Sequence, residues 1–212
     1  MALVFIDLDG TLIEKKSSER LFFFFLLRKG VLRAPQIAAF FLFALCFLPR
    51  YGKVIWKKNK AYLAGLPERE VIRAAEEFAG KHLVRSIRRE MKERISRHRR
   101  DKDETILLTG SLTLLAEPIA CFAGIDTVIA TICATRNGRL DALPPILHPF
   151  SVQKRRIAED LCRERGVSLN DCTAYGDSIH DLPLLEAVQT PVAVHPDHPL
   201  KKIARLRSWE IL

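Results

Sequence analysis

Ala2-Leu3-Val4-Phe5-Ile6 runs directly into Asp7-Leu8-Asp9-Gly10-Thr11. A short continuous apolar run ending in an acidic, glycine-containing turn is the pattern of a buried parallel strand whose C-terminal edge opens into a site. Side chains alternate along an extended chain, so Asp7 and Asp9, two apart, can face one crevice. Gly10 permits the tight turn that follows. A DxDG sequence standing alone also occurs in ordinary turns and calcium loops, so the rest of the chain decides its meaning.

The same pattern recurs. Thr105–Leu108 runs into Thr109, Gly110 and Ser111, Thr127–Thr131 follows a helix-like stretch, Thr173–Tyr175 runs into Gly176 and Asp177, and Pro191–Val194 closes the series. Helical stretches at Leu112–Phe122, Val152–Arg165 and Leu182–Ala187 lie between them. Strand and helix therefore alternate, which implies an α/β fold with a parallel sheet covered on both faces. The sequence Thr135-Arg136-Asn137-Gly138-Arg139-Leu140 has two-residue hairpin chemistry and predicts a small flap at the sheet edge.

Residues 14–100 break the alternation. Ile72, Ala75, Ala79, Leu83, Ile87, Met91 and Ile95 are spaced three or four apart, a helical pattern. The segment also differs in charge. It holds 22 Lys/Arg against 8 Asp/Glu, net +14, whereas the remaining residues hold 12 against 17, net −5, within a chain total of +9. We expect residues 1–13 and 101–212 to form one unit and residues 14–100 an inserted helical one. The Arg/Lys run from Arg85 to Arg100 reads as the solvated face of a long helix. It lacks the interleaved aromatics of a nucleic-acid module, so no nucleic-acid partner is expected.

Two apolar runs, Leu21–Leu27 and Ile37–Leu48, contain eight of the twelve phenylalanines and are separated by Arg28, Lys29 and Arg33. A spanning helix needs about 20 apolar residues, so neither run is expected to cross a bilayer alone. They read either as a buried helical hairpin or as an interfacial anchor, because basic residues beside an apolar surface favour an anionic leaflet. Asp7 and Asp9 interrupt the first apolar stretch too early for an export signal. The odd set Cys46, Cys121, Cys133, Cys162 and Cys172, without CxxC spacing, reads as reduced core cysteines. The expected location is cytoplasmic, with the anionic inner membrane face as a peripheral partner on the anchor reading.

Four groups sit at the predicted strand ends or close after them in chain order: Asp7 with Asp9, Thr109 with Gly110, Lys154, and Asp177 with Asp181. On these residues the sequence resembles the haloacid dehalogenase-like phosphohydrolases, within them the phosphoserine-phosphatase-like subgroup with a helical cap inserted after the first motif. The resemblance covers the first 13 residues and most of 101–212. It implies a Rossmann-like core, a cap at 14–100, and hydrolysis of a small phosphomonoester, such as a phosphoserine-like metabolite, with Mg²⁺. It implies Asp7 as nucleophile, forming an aspartyl-phosphate, and Asp9 as general acid/base. Thr109, Gly110 and Lys154 would bind the phosphoryl group. Asp7, Asp177 and the Asp9 carbonyl would hold the metal, with Asp181 and Ser178 in support.

These roles agree with elementary chemistry. A carboxylate and a phosphate repel each other, so a divalent cation and the Lys154 ammonium are needed between them. Two carboxylates doing different jobs need different pKa values, with Asp7 ionised and Asp9 protonated at the start. Two departures stand out. The glycine usual before the third-motif lysine is absent from His148-Pro149-Phe150-Ser151-Val152-Gln153-Lys154, which leaves Arg155 as a competitor for the role. Gly10 stands where phosphoserine phosphatases carry a serine, which disfavours phosphoserine itself. Relatives with apolar caps, of the phosphatidylglycerophosphatase C type, point to a lipid phosphate as the alternative substrate. A catalytically idle interaction scaffold is the third reading, opposed by the competence of every motif position. His148, His180, His195 and His198 lack HExxH or paired-cysteine spacing and suit loops or the substrate rim; His180, beside Ser178 and Asp181, is nearest the metal. Nothing in the pattern specifies an oligomeric state.

Overall fold

The computed structural model describes residues 2–15 and 17–212; Met1 and Lys16, which fall inside the two predicted units, lie outside the described residues. Among the described residues, eight strands and nine α-helices follow one another in chain order. β1 (Leu3–Ile6) is followed by α1 (Ser18–Arg28), α2 (Ala34–Tyr51), α3 (Ile55–Lys58), α4 (Glu68–Phe78) and α5 (Arg89–Arg100) before β2 (Glu104–Leu112). Then come α6 (Thr113–Ala123), β3 (Thr127–Thr131), the hairpin β4 (Thr135–Arg136) and β5 (Arg139–Leu140), and α7 (Val152–Arg165). β6 (Thr173–Gly176), α8 (Leu182–Leu185), β7 (Thr190–Ala193), α9 (His198–Leu206) and β8 (Glu210–Ile211) complete the chain.

Six strands form one sheet in the order β3-β2-β1-β6-β7-β8, and every pair in it is parallel. β1 sits in the middle, which is why all four of its residues are apolar and fully buried. Val4 and Ile6 face a core shared with α1, α4, α5 and α6. Leu3 and Phe5 face the opposite core, formed with α7, α8 and α9. Helices thus cover both faces of a Rossmann-like α/β sheet, as the alternation of strand and helix predicts. β4 and β5 pair antiparallel, and Asn137 and Gly138 both take positive φ in their turn.

The chain leaves and re-enters the sheet region through one narrow connection. Ile13 and Ile87 form an antiparallel bridge, with Glu14 N donating to Ser86 O at 2.9 Å and Arg88 N to Leu12 O at 2.9 Å. This pairing corrects one expectation. The spacing from Ile72 to Ile95 suggests continuous helix, and the Arg85–Arg100 run suggests the face of one long helix. Instead α4 ends at Phe78, a π turn covers Ala79–Leu83, a 3₁₀ turn covers Val84–Ser86, and α5 starts at Arg89. Ile87 must be extended to pair with Ile13, yet Leu83, Ile87, Met91 and Ile95 all remain buried.

Two other expectations change. The apolar run Ile37–Leu48 becomes an 18-residue helix because Pro35 fits its first turn and Pro49 falls in its last. By length and composition α2 could cross a membrane, and only 6% of it is buried. Of the five cysteines, only Cys162 and Cys172 are buried; Cys46 and Cys121 are exposed. The C-terminal α9 and β8 carry no expectation from the apolar pattern, being short.

The first apolar run, Leu21–Leu27, divides by face. Phe22 is fully buried and packs on Phe78 at 5.5 Å between ring centroids, whereas Phe24 is half-exposed. Phe22→Ala is expected to lose about 3–5 kcal/mol, roughly 6–20 °C in Tm for a chain of this size. Phe24→Ala should stay within about 0.5 kcal/mol. Paired thermal melts check both, and equal losses would mean that the run packs as one buried hairpin.

Candidate active site

Strand order reverses between β1 and β6, the place where an open α/β sheet leaves a crevice at its carboxyl edge. Asp7 follows β1 and Asp177 follows β6 there. Asp181 closes a 3₁₀ turn at Ile179–Asp181, and Lys154 sits in the first turn of α7. One carboxylate oxygen from each of Asp7, Asp177 and Asp181 lies within 4.8 Å of the others. Lys154 Nζ, buried, donates to Asp7 Oδ1 at 2.5 Å and to Asp181 Oδ1 at 2.6 Å. Ser178 holds the far oxygen of Asp181 through its hydroxyl at 3.2 Å.

Two glycines make this crowding feasible. A Cβ on Gly10, whose φ is +87°, would sit 2.1 Å from Asp177 Oδ2. A Cβ on Gly176 would sit 2.6 Å from Asp181 Cβ. Neither position tolerates a side chain without moving a carboxylate.

Thr109, Gly110 and Ser111 lie where β2 departs from regular pairing. Leu108 pairs with Ile129 and Leu112 with Thr131, so three residues on β2 oppose one on β3. Such a bulge re-aims side chains beside a site. Thr109 Oγ1, buried, accepts from Ser111 N at 3.1 Å. Ser111 Oγ hydrogen-bonds Asp9 Oδ2. Asp9 also accepts from Ser18 N at 2.6 Å and Ser18 Oγ at 3.1 Å. Its carboxyl therefore turns toward the start of α1, away from the Asp7–Asp177–Asp181 group.

Burial dominates the electrostatics. It pushes Asp7 up to about 7, although Lys154 opposes the shift and Asp181 adds to it. Burial with the Asp7 and Asp181 charges pushes Asp177 to about 8. Burial also raises Asp9, against its bonds from Ser111 and Ser18. For Lys154 burial acts downward, but Asp181 and Asp7 outweigh it and hold the ammonium charged. A hard, all-oxygen donor set crowded against its own repulsion suits a divalent cation such as Mg²⁺.

These groups floor a cavity of about 610 Å³. Its opposite wall contains residues that sequence reasoning passes over. Glu19 pairs with buried Lys60 and accepts from Tyr62 Oη at 3.2 Å. Phe23, Phe24, Phe40 and Trp56 line the outer part. Ser18 had a local signal, since Ser17-Ser18 ahead of an apolar run marks a helix start. Glu19 and Lys60, 41 positions apart, had none. His148 lines the cavity with its Nδ1 on Thr131 Oγ1 at 2.9 Å, and burial beside Lys60, Lys58 and Lys57 lowers it to about 3. His180 is exposed at the rim, its ring 4.6 Å from Phe150. His195 and His198 lie outside the cavity lining, His195 bonding Glu90 at 3.0 Å. Arg155 points away and pairs with Glu159.

The model of the haloacid dehalogenase-like hydrolase family matches residues 4–186. The chain belongs to that family. It is 30% identical over 157 residues to a phosphoserine phosphatase of Mycobacterium tuberculosis, covering 73% of this chain and 50% of that protein. It is 27% identical to a histidinol-phosphatase of Neisseria meningitidis serogroup C over 99% of this chain and 97% of that one. The chain spans about half the length of the first curated relatives it matches. Among solved structures, a protein of unknown function from Bordetella pertussis Tohama I superposes with a TM-score of 0.81 at 27% identity, covering 100% of this chain and 97% of that one.

The raised carboxylates give a cation a pH-dependent effect. Acids whose folded pKa exceeds the unfolded value favour the fold while protonated, so stability without a cation falls as pH rises from about 4 through 7 to 8. A divalent cation such as Mg²⁺ would bind the ionised groups, so its contribution should grow across the same window. At about 100-fold over Kd it should add about 2.7 kcal/mol, roughly 5–10 °C in Tm, at pH 8 and clearly less at pH 5. Gly10→Ala should abolish that shift. Calorimetry with and without Mg²⁺ at the two pH values tests this, and a shift equal at both would remove these carboxylates as its origin.

Proposed function

We propose that the chain is a Mg²⁺-dependent phosphomonoesterase working through an aspartyl-phosphate on Asp7. The observation that carries the reading is the buried Lys154 ammonium held between Asp7 and Asp181 at the strand reversal. Within the inserted residues 14–100, the part before the Ile13–Ile87 pairing acts as a cap, while α5 returns to pack on the core made of residues 1–13 and 101–212. Asp7, Asp177 and the Asp9 carbonyl would hold the cation, with Asp181 and Ser178 in support. Bound there, Mg²⁺ would offset the charge of the carboxylates and of the incoming phosphate.

Asp7 attacks phosphorus as the bond to the leaving alkoxide breaks. Lys154, the Thr109 hydroxyl and the Gly110 backbone stabilise the equatorial oxygens. Asp9, whose pKa burial raises and whose carboxyl Ser18 and Ser111 orient, gives its proton to the leaving oxygen. The product alcohol departs. Asp9, now ionised, takes a proton from water as that water attacks phosphorus; the Asp7–phosphorus linkage breaks and phosphate leaves, so both carboxyls return to their starting states.

The leaving group occupies the wall opposite the carboxylates. Glu19, Lys60 and Tyr62 offer polar contacts to a small phosphorylated metabolite. The aromatic outer lining, Phe23, Phe24, Phe40 and Trp56, favours a second reading in which the leaving group carries an apolar chain. Asp7→Asn should reduce Mg²⁺-dependent turnover of an aryl phosphate to background. Asp9→Asn should lower kcat about 10²–10⁴-fold. Rapid-quench measurement of phosphoenzyme separates the two, and near-normal turnover by Asp7→Asn would remove the covalent mechanism. A panel comparing phosphoserine, small sugar phosphates and lysophospholipid phosphates divides the two substrate readings.

A further inference from the structure

A surface helix normally turns its polar stripe outward. α2 does the reverse. Phe41, Leu42, Leu45 and Leu48, at helical spacing, form its outer face, with Leu45 74% and Phe41 62% exposed. No charged residue interrupts Ala34–Pro49. At about 1.5 Å per residue this is an apolar ridge some 24 Å long. Trp56, 58% exposed, and Phe24, 45% exposed, extend it to the cavity mouth, where both also line the cavity.

The fringe of this ridge is basic. Ser17–Gly65 contains nine Lys/Arg and one acidic residue, Glu19, which is turned inward onto Lys60. Arg33 and Arg50 stand exposed at the two ends of the ridge, and Arg20 and Lys57 are exposed where Phe24 and Trp56 continue it. Apolar centre and cationic rim complement an anionic bilayer surface, where the apolar face enters the acyl boundary and the basic groups meet the headgroups. The inner face of α2 is tied to the protein. Phe43 packs with Ile55 and Ala61, Asn59 Nδ2 donates to Phe40 O at 2.8 Å, and Gln36 Nε2 donates to Ala64 O at 3.2 Å. A helix held along its length in this way lies in the interface plane; it does not stand free to span.

We propose that the outer face of α2, continued by Phe24 and Trp56 and fringed by Arg20, Arg33, Arg50 and Lys57, docks on an anionic lipid leaflet and sets the cavity mouth against it. The proposal deepens the reading of that cavity as the reactive site. It means that a substrate with an apolar chain reaches Asp7 from the leaflet, without passing through water.

The full chain is mixed with vesicles of phosphatidylcholine, or of phosphatidylcholine and phosphatidylglycerol at 7:3, and floated at low and high salt. Binding should favour the anionic vesicles and weaken with salt, because screening removes the basic share and leaves the apolar one. Phe41→Glu with Leu45→Glu should weaken binding roughly tenfold or more, since two side chains of the ridge can no longer enter the acyl region. Neither residue lines the cavity, so aryl phosphate turnover by this variant should remain normal, which also shows that it folds. Asp7→Asn should float like the parent, so failure of docking and failure of the phosphatase reading are told apart. Absence from anionic vesicles, or flotation unchanged by the double substitution, would overturn the proposal. A concentration-dependent dimer that the double substitution dissolves would also overturn it, by showing that a second copy covers the ridge.

Discussion

The buried Lys154 ammonium organises the candidate site. Lys154 lies among Asp7, Asp177 and Asp181, so one positive charge faces three carboxyl groups in a region shielded from water. Buried charges persist only when paired and hydrogen-bonded. The arrangement answers with three devices: raised carboxyl pKa values, the Ser178 bonds to Asp181, and donor geometry suited to a further cation. None would be possible without close approach of two loops, and close approach depends on Gly10 and Gly176. The central strand is therefore uniformly apolar up to Ile6 and acidic immediately after, because the sheet must bring these loops together at its point of reversal.

The second constraint couples the helical insert to this centre. Asp9 is held by Ser18, the first residue of α1, as well as by Ser111 on the β2 bulge. The proposed acid is thus oriented only when α1 is seated against the sheet. The same helix turns Phe22 and Leu26 into the core and supplies Glu19 and Phe23 to the cavity wall. A displacement of α1 would change proton transfer and leaving-group recognition together. The paired segments at Ile13 and Ile87 are where such a displacement would have to be accommodated.

Much of this was legible in the sequence where one residue pattern has one physical solution. A continuous apolar run with a glycine-acid turn reads as a central parallel strand, and β1, β3 and β6 lie close to their expected positions. α7 matches the helical stretch expected at Val152–Arg165, and Gly166 in the left-handed conformation ends it. Where two structures satisfy one pattern, reading stops. Leu83, Ile87, Met91 and Ile95 are buried at helical spacing whether or not the helix is continuous, so the extended turn at Ile87 leaves no trace in the periodicity. Apolar runs likewise do not say which side meets solvent. Phe22 and Phe24 are neighbours of one type with opposite fates, and Cys46 follows the exposed face of its helix. The Glu19–Lys60 pair depends on tertiary placement alone.

The charge asymmetry between the two parts then acquires a physical meaning. The sheet portion carries net negative charge and places three carboxyl groups where a phosphate must arrive, so on its own it would repel its proposed substrate. The helical portion carries the opposite excess, and three of its basic residues, Arg20, Lys57 and Lys60, line the cavity. In the proposed reaction a positive entrance above a negative floor would draw anions inward over distances near the ~8–10 Å Debye length, after which Lys154 and a cation held by the carboxylates would act at contact range. Long-range attraction and short-range chemistry are thus assigned to different stretches of the chain. The same excess beside an apolar ridge would also favour an anionic surface, so the proposed steering of a phosphate and the proposed docking on a leaflet would share one electrostatic cause.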